Sequence, residues 1–143
     1  EIGNVIKNEI KNVLKRRFIL KYKYPSLKND KAVQLLAATA LSKKDMLFFN
    51  APVLIFILSE NKRFYKESCA CCAQNMMLAA HFLGVGSCWI GLAHFIELNK
   101  EYMKKIGVPD GFHISSCLVF GYPEGKLPKA SLRKPLADVI NWI

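Results

Sequence analysis

Ala51-Pro52-Val53-Leu54-Ile55-Phe56-Ile57-Leu58 runs for eight residues with neither a charge nor a period-2 alternation. An uninterrupted apolar run of that length, rich in branched side chains, predicts a strand covered on both faces. Pro52 stands near its start, where a missing ladder donor matters least. The run is therefore expected at the centre of a sheet, and the segments on either side must supply its cover. Upstream, residues 5–18 put Ile6, Ile10, Val13, Leu14 and Phe18 on one helical face, with Lys7, Lys11, Lys15 and Arg16 on the other. Pro25 breaks the pattern, and a second short helix is expected over residues 31–40. The basic face of the first helix could grip phosphates or a lipid surface, although a solvated outer face is the ordinary reading of such a stripe.

Downstream, residues 68–83 form the longest helical pattern. Cys69, Cys72, Ala73, Met76, Ala80 and Leu83 make one stripe, which Leu78 and Phe82 widen. A helix apolar nearly all round must be covered nearly all round. A small domain has little to spare for that, so a second copy of the chain is the expected cover. Gly84 follows as the left-handed residue that ends such a helix. Leu98, Tyr102 and Ile106 mark a short helix stopped by Gly107 and Pro109. Residues 112–122 are rich in strand formers, and Pro135 opens a last helix that runs to Ile143. Strands separated by helices indicate an α/β or α+β class. No linker or repeat divides residues 1–143, which read as one domain.

Composition narrows the function classes. Of 143 residues, 52% are hydrophobic, which excludes a disordered chain. The longest apolar run falls far short of the roughly 20 residues that span a bilayer, so no membrane span is expected. Glu1-Ile2-Gly3-Asn4 does not resemble a secretory leader. The five cysteines are an odd number with three crowded at Cys69, Cys71 and Cys72, which suits reduced thiols in a cytoplasm. Cys71 points away from the other two on a helix, while Cys88 and Cys117 stand apart, so no metal is expected. The net charge of +10 is compatible with nucleic acid, but neither zinc-finger spacing nor an RNP-like motif accompanies it. No specific nucleic-acid partner is expected. No Gly-x-Ser-x-Gly elbow serves His81, His94 or His113, so no catalytic side chain is assigned, and His81 is expected to be buried with a structural hydrogen bond.

Gly84-Val85-Gly86-Ser87-Cys88-Trp89-Ile90-Gly91 is the most informative stretch. It follows a helix rather than a strand and lacks Gly-Lys-Ser/Thr, so it is neither a dinucleotide fingerprint nor a P-loop. Two readings stay open: a helix cap leading into a turn, or a backbone that passes close to something flat and offers its N–H and C=O groups to polar ring edges. Lys126, Lys129, Arg133 and Lys134 after the last strand read as solvated surface or as cations around a phosphate.

Taken in order, Ala51-Pro52-Val53, Ala73-Gln74-Asn75-Met76-Met77-Leu78-Ala79-Ala80, Leu83-Gly84-Val85-Gly86-Ser87-Cys88-Trp89-Ile90-Gly91, Ile106-Gly107-Val108-Pro109-Asp110-Gly111, Val119-Phe120-Gly121-Tyr122-Pro123 and Arg133-Lys134-Pro135-Leu136 resemble the FMN-dependent nitroreductase family. The resemblance runs from about Asp45 to the C-terminus. It implies an α+β sandwich with a mixed central sheet flanked by helices, and a homodimer with FMN at its interface. It implies that main-chain groups of Cys88, Trp89, Ile90 and Gly91 hold the flavin edge, and that Arg133, helped by Lys129, holds the phosphate. NAD(P)H would be the reductant, and a nitroaromatic, a quinone or a similar small molecule the acceptor. Nothing in residues 1–50 matches the Arg-Arg-Ser-x-Arg stretch with which such proteins open. The chain is accordingly expected to be an N-terminally truncated or divergent member lacking that FMN-binding segment. The alternative is a dimeric scaffold of the same fold that has lost its flavin chemistry.

Overall fold

The computed structural model describes residues 1–20, 22, 25–125 and 135. Lys126, Lys129, Arg133, Lys134 and the expected last helix, Pro135 apart, lie outside the described residues. The elements run α1 (Ile2–Lys15), α2 (Arg17–Leu20), a 3₁₀ helix (Pro25–Lys28), α3 (Asp30–Leu41), β1 (Val53–Glu60), α4 (Tyr65–Phe82), β2 (Gly86–Trp89), a second 3₁₀ helix (Gly91–Leu98), α5 (Lys100–Lys105) and β3 (Phe112–Gly121). The class is α+β, with a three-stranded sheet in the order β1-β3-β2 whose pairings, among the described residues, are antiparallel.

Residues 51–58 do not form the sheet's centre as expected. β3 takes that place because it pairs on both sides, whereas β1 pairs with β3 alone among the described residues. No residue of β1 is fully buried. Within β3, by contrast, Ile114, Ser116, Cys117, Leu118 and Val119 all are. Its alternation serves two layers. Ile114, Cys117 and Val119 join the main core with Ile6, Ile10 and Val13 of α1, Leu36 of α3, and Ala93 and Ile96 of the second 3₁₀ helix. Leu118 and Ser116 face the other way, toward α4, which buries Cys69, Ala73 and Ala80. Pairing slips between Ile57 and Leu58, which face Ser116 and Ile114, so Ser115 is the extra residue of a bulge.

α1 buries the expected stripe, but its helix ends at Lys15 and Phe18 falls in α2, exposed. α4 also departs from expectation. Cys72 and Leu83, assigned to the buried stripe, are exposed, as are Leu78, Phe82 and His81. His81 rests its ring edge-on to Phe82, at 6.3 Å between centroids, rather than inside a core. One side of α4 meets the sheet; its other side is open within this chain and carries Leu78 and Phe82 among polar residues such as Gln74, Asn75 and His81.

Two helices end on paired C-terminal hydrogen bonds. After α4, the Gly84 N–H donates to the His81 carbonyl at 3.0 Å and the Val85 N–H to Ala80 at 2.8 Å. After α5, Gly107 donates to Lys104 and Val108 to Met103, each at 3.0 Å. Both glycines are left-handed, with φ of 71° and 81°, as this cap requires. Between α3 and β1, Asp45 organises the loop: Oδ1 accepts from the Leu47 and Phe48 N–H groups and Oδ2 from Asn50. Burial pushes the Asp45 carboxyl up, but those three hydrogen bonds and the Lys7 charge outweigh it, so its pKa lies below the ordinary value.

Gly84→Ala and Gly107→Ala should each destabilise the fold by about 1–2 kcal/mol in urea titration, the cost of a side chain at positive φ, since a Cβ at either site meets open space. Asp45 adds stability that is complete above the unfolded-state pKa and is lost as pH falls through the lower folded value. Melting curves between neutral pH and pH about 3 should therefore slope less for Asp45→Ala than for the parent chain.

Candidate functional site

β2 pairs with β3 through Gly86↔Gly121, Ser87↔Phe120, Cys88↔Val119 and Trp89↔Leu118. The Ile90 N–H carries the pairing one step further, donating to the Cys117 carbonyl at 2.9 Å. The chain then leaves the sheet and winds into the 3₁₀ helix Gly91–Leu98, whose first intrahelical bond runs from the Ala93 N–H to the Ile90 carbonyl at 3.3 Å. The Gly91 N–H precedes that bond. A Cβ on Gly91 would meet nothing within 4 Å.

The three glycines of this stretch serve three purposes. Gly84 caps α4. Gly86 lets two strands close up, since a Cβ there would stand 3.2 Å from the Gly121 carbonyl oxygen. A Cβ would meet open space at Gly84 as well as at Gly91, but the Gly84 N–H is spent on the α4 cap, so the cap reading holds there and Gly91 is the glycine left for the close-approach reading.

Cys88, Trp89, Ile90 and Gly91 thus form one continuous bend, but they are not equivalent. Ile90 is buried in the core with its N–H already engaged. Cys88 and Gly91 are exposed, and Trp89 is 39% exposed. Beside Trp89 opens a cavity of 410 Å³ lined also by Tyr65, Lys66 and Ala70 of α4, His94 and Glu97 of the 3₁₀ helix, and residues 113–116 of β3.

That lining was not anticipated from the sequence. Ser116 is 1% exposed, and its Oγ finds no hydrogen-bond partner among the described residues. A buried hydroxyl in that state costs about 1–3 kcal/mol until something satisfies it. Ser115, turned by the bulge, shares a short hydrogen bond with the Ser59 hydroxyl. Glu97 Oε1 accepts the Ile114 N–H at 2.7 Å and lies 3.8 Å from His113 Nδ1. The adjacent pair Ser115-Ser116 inside an otherwise mostly apolar strand was the available signal, but the bulge that turns both hydroxyls toward this region leaves no mark in composition.

All five cysteines are free, and burial pushes the Cys117 thiol up to about 12, so it stays protonated. Among the described residues no group of three His, Cys, Asp or Glu side chains could hold a metal ion. Nor is any described helix long and apolar enough to cross a membrane.

The family model described as the nitroreductase family matches residues 5–122. A curated protein of Archaeoglobus fulgidus, provisionally named NADH dehydrogenase/NAD(P)H nitroreductase, is 33% identical over 58 residues, or 41% of this chain and 33% of that one. One of the same name from Methanothermobacter thermautotrophicus is 28% identical over 79 residues, or 52% and 41%. The match thus spans well under half of either curated relative. Among solved structures, a Bacteroides fragilis nitroreductase with bound FMN superposes with a TM-score of 0.68 at 28% identity, over 96% of this chain and 71% of that one. A BluB-like flavoprotein from Clostridium difficile shares the fold at 20% identity and a TM-score of 0.60, over 98% and 75%. With a family match across most of its length and the α+β fold of these flavoproteins, the chain belongs to the nitroreductase family.

Proposed function

We propose that the chain forms the flavin-binding core of an FMN-dependent oxidoreductase that takes electrons from NAD(P)H and passes them to a nitroaromatic, a quinone or a similar small acceptor. The observation that carries this reading is the open backbone at Gly91, two residues after the cavity-lining Trp89, at the bend whose sequence resembles the flavin-contacting segment of the family. The residues present fit a flat heterocycle with polar edges. Gly91 has an N–H ahead of the helix's first bond and no side chain in the way; Trp89 supplies an aromatic wall; Ser116 holds an unsatisfied hydroxyl toward the cavity.

When bound, FMN supplies the hydride and electron chemistry itself. The chain's part is to bind and orient. Main-chain groups of Cys88, Trp89 and Gly91 would hold the flavin edge, and Ile90 fixes the bend through its bond to Cys117 and its burial in the core. Arg133, with Lys129 as helper, would hold the phosphate by hydrogen bonding and positive charge. No side chain of the bend acts as acid, base or nucleophile.

The working unit is a homodimer in the cytoplasm. Leu78, Phe82 and Leu83 on the outer side of α4 are 47%, 87% and 78% exposed, an apolar ridge that a second copy of α4 would bury. The free state of all five thiols suits a reducing compartment.

Four outcomes test this reading. FMN added to the purified chain should give a shifted visible spectrum and quenched flavin fluorescence. Gly91→Val should weaken that binding at least tenfold with an unchanged melting temperature, because its side chain enters open space. Binding of FMN by Gly91→Val as tightly as by the parent would contradict the role given to this backbone. Phe82→Glu should turn a dimer into a monomer by sedimentation and lower flavin affinity with it. In an assay with FMN and a quinone the chain should oxidise NAD(P)H; a stable dimer that takes up no flavin and shows no turnover is what the scaffold alternative requires.

A further inference from the structure

Residues 10–29 hold seven of the chain's cations, Lys11, Lys15, Arg16, Arg17, Lys21, Lys23 and Lys28, and no acid. In the fold the same segment carries three of the most exposed apolar or aromatic side chains: Phe18 at 77%, Ile19 at 74% and Tyr22 at 78%. The junction is built rather than loose. Arg17 ties α2 to the neighbouring 3₁₀ helix, donating from Nε to the Leu27 carbonyl at 3.0 Å and from a terminal nitrogen to Asp30 at 2.7 Å. Asp30 neutralises Arg17, whereas Lys15, Arg16 and Lys28 stand exposed around it. Lys15, Arg17 and Lys28 rim a groove of 590 Å³ whose apolar lining is Leu14, Phe18 and Leu27.

We propose that this corner of the molecule, α2 with the ends it joins, is a docking surface for an anionic lipid bilayer. Stable attachment of a peripheral protein takes two signals, an apolar insertion and a cationic patch. Both occur here on one corner. The protruding pair Phe18 and Ile19 inserts among acyl chains, Tyr22 sits at headgroup depth, and Lys15, Arg16 and Lys28 meet lipid phosphates and carboxylates. Charge complementarity alone would serve nucleic acid equally well, but a single-strand surface relies on aromatic faces as base platforms. Ile19 offers no such face, and hydrocarbon is what its aliphatic side chain matches. The surface does not depend on the flavin site and can be tested without flavin.

The test is co-sedimentation of the whole chain with vesicles of phosphatidylcholine alone or mixed with phosphatidylserine, with random DNA as competitor. Binding is expected on the anionic vesicles, weakening as salt rises, and not on phosphatidylcholine alone. Lys15→Ala with Lys28→Ala should lower it about 25-fold, at about fivefold per cation. Phe18→Ser with Ile19→Ser should lower it at least tenfold with an unchanged circular dichroism melt. Lys43→Ala with Lys104→Ala, removing the same charge elsewhere, should leave it within twofold. An equal loss in that control, equal binding to neutral vesicles, or tighter binding to DNA than to anionic vesicles would overturn the proposal. So would a change of oligomeric state on Phe18→Ser with Ile19→Ser without vesicle binding, which would mark the corner as a contact between copies.

Discussion

The pairing of β3 with β1 on one edge and β2 on the other is the constraint on which the rest of the structure depends. It makes β3 the strand with a fully buried stretch, sets the second 3₁₀ helix on one face, with α1 packed on that helix and α3 on α1, and leaves α4 on the other. The hydrogen bond from Ile90 to Cys117 extends that pairing past the last residue of β2. The chain leaves the sheet after Ile90, and Gly91 opens the second 3₁₀ helix two residues beyond Trp89, which lines the cavity. Site and core are thus joined through the β2–β3 pairing that the hydrogen bond from Ile90 extends.

Much of the fold was legible in the sequence. Helix periodicity placed α1, α3 and α4 within a few residues, and Gly84 and Gly107 marked their helix ends through the one property that needed glycine, positive φ. What misled was an assumption about cover. The apolar run of β1 was read as central, and the all-round apolar surface of α4 as buried, because both sequences match two-sided burial. In this chain β1 packs Leu54, Phe56 and Leu58 on the main core and also meets α4, but among the described residues it pairs along one edge, whereas α4 is covered on one side. Strand centrality is decided by partners remote in sequence, which a local run cannot report.

The site was legible in part. The bend from Cys88 to Gly91 was singled out, but the distinct duties of its glycines appear only once Gly86 is seen against Gly121 and Gly91 in open space. Ser116 was not singled out at all. Its significance comes from a one-residue bulge at Ser115, a matter of register between strands nearly 60 positions apart. Lys129 and Arg133 rest on resemblance and lie outside the described residues.

Amide hydrogen exchange resolved by residue, with and without FMN, tests the central claim most directly. The Ile90 amide should be protected in both states, because it is already bonded to Cys117. The Gly91 amide should exchange quickly without flavin and become protected when FMN is bound. A Gly91 amide that exchanges at the same rate under saturating FMN would contradict the account.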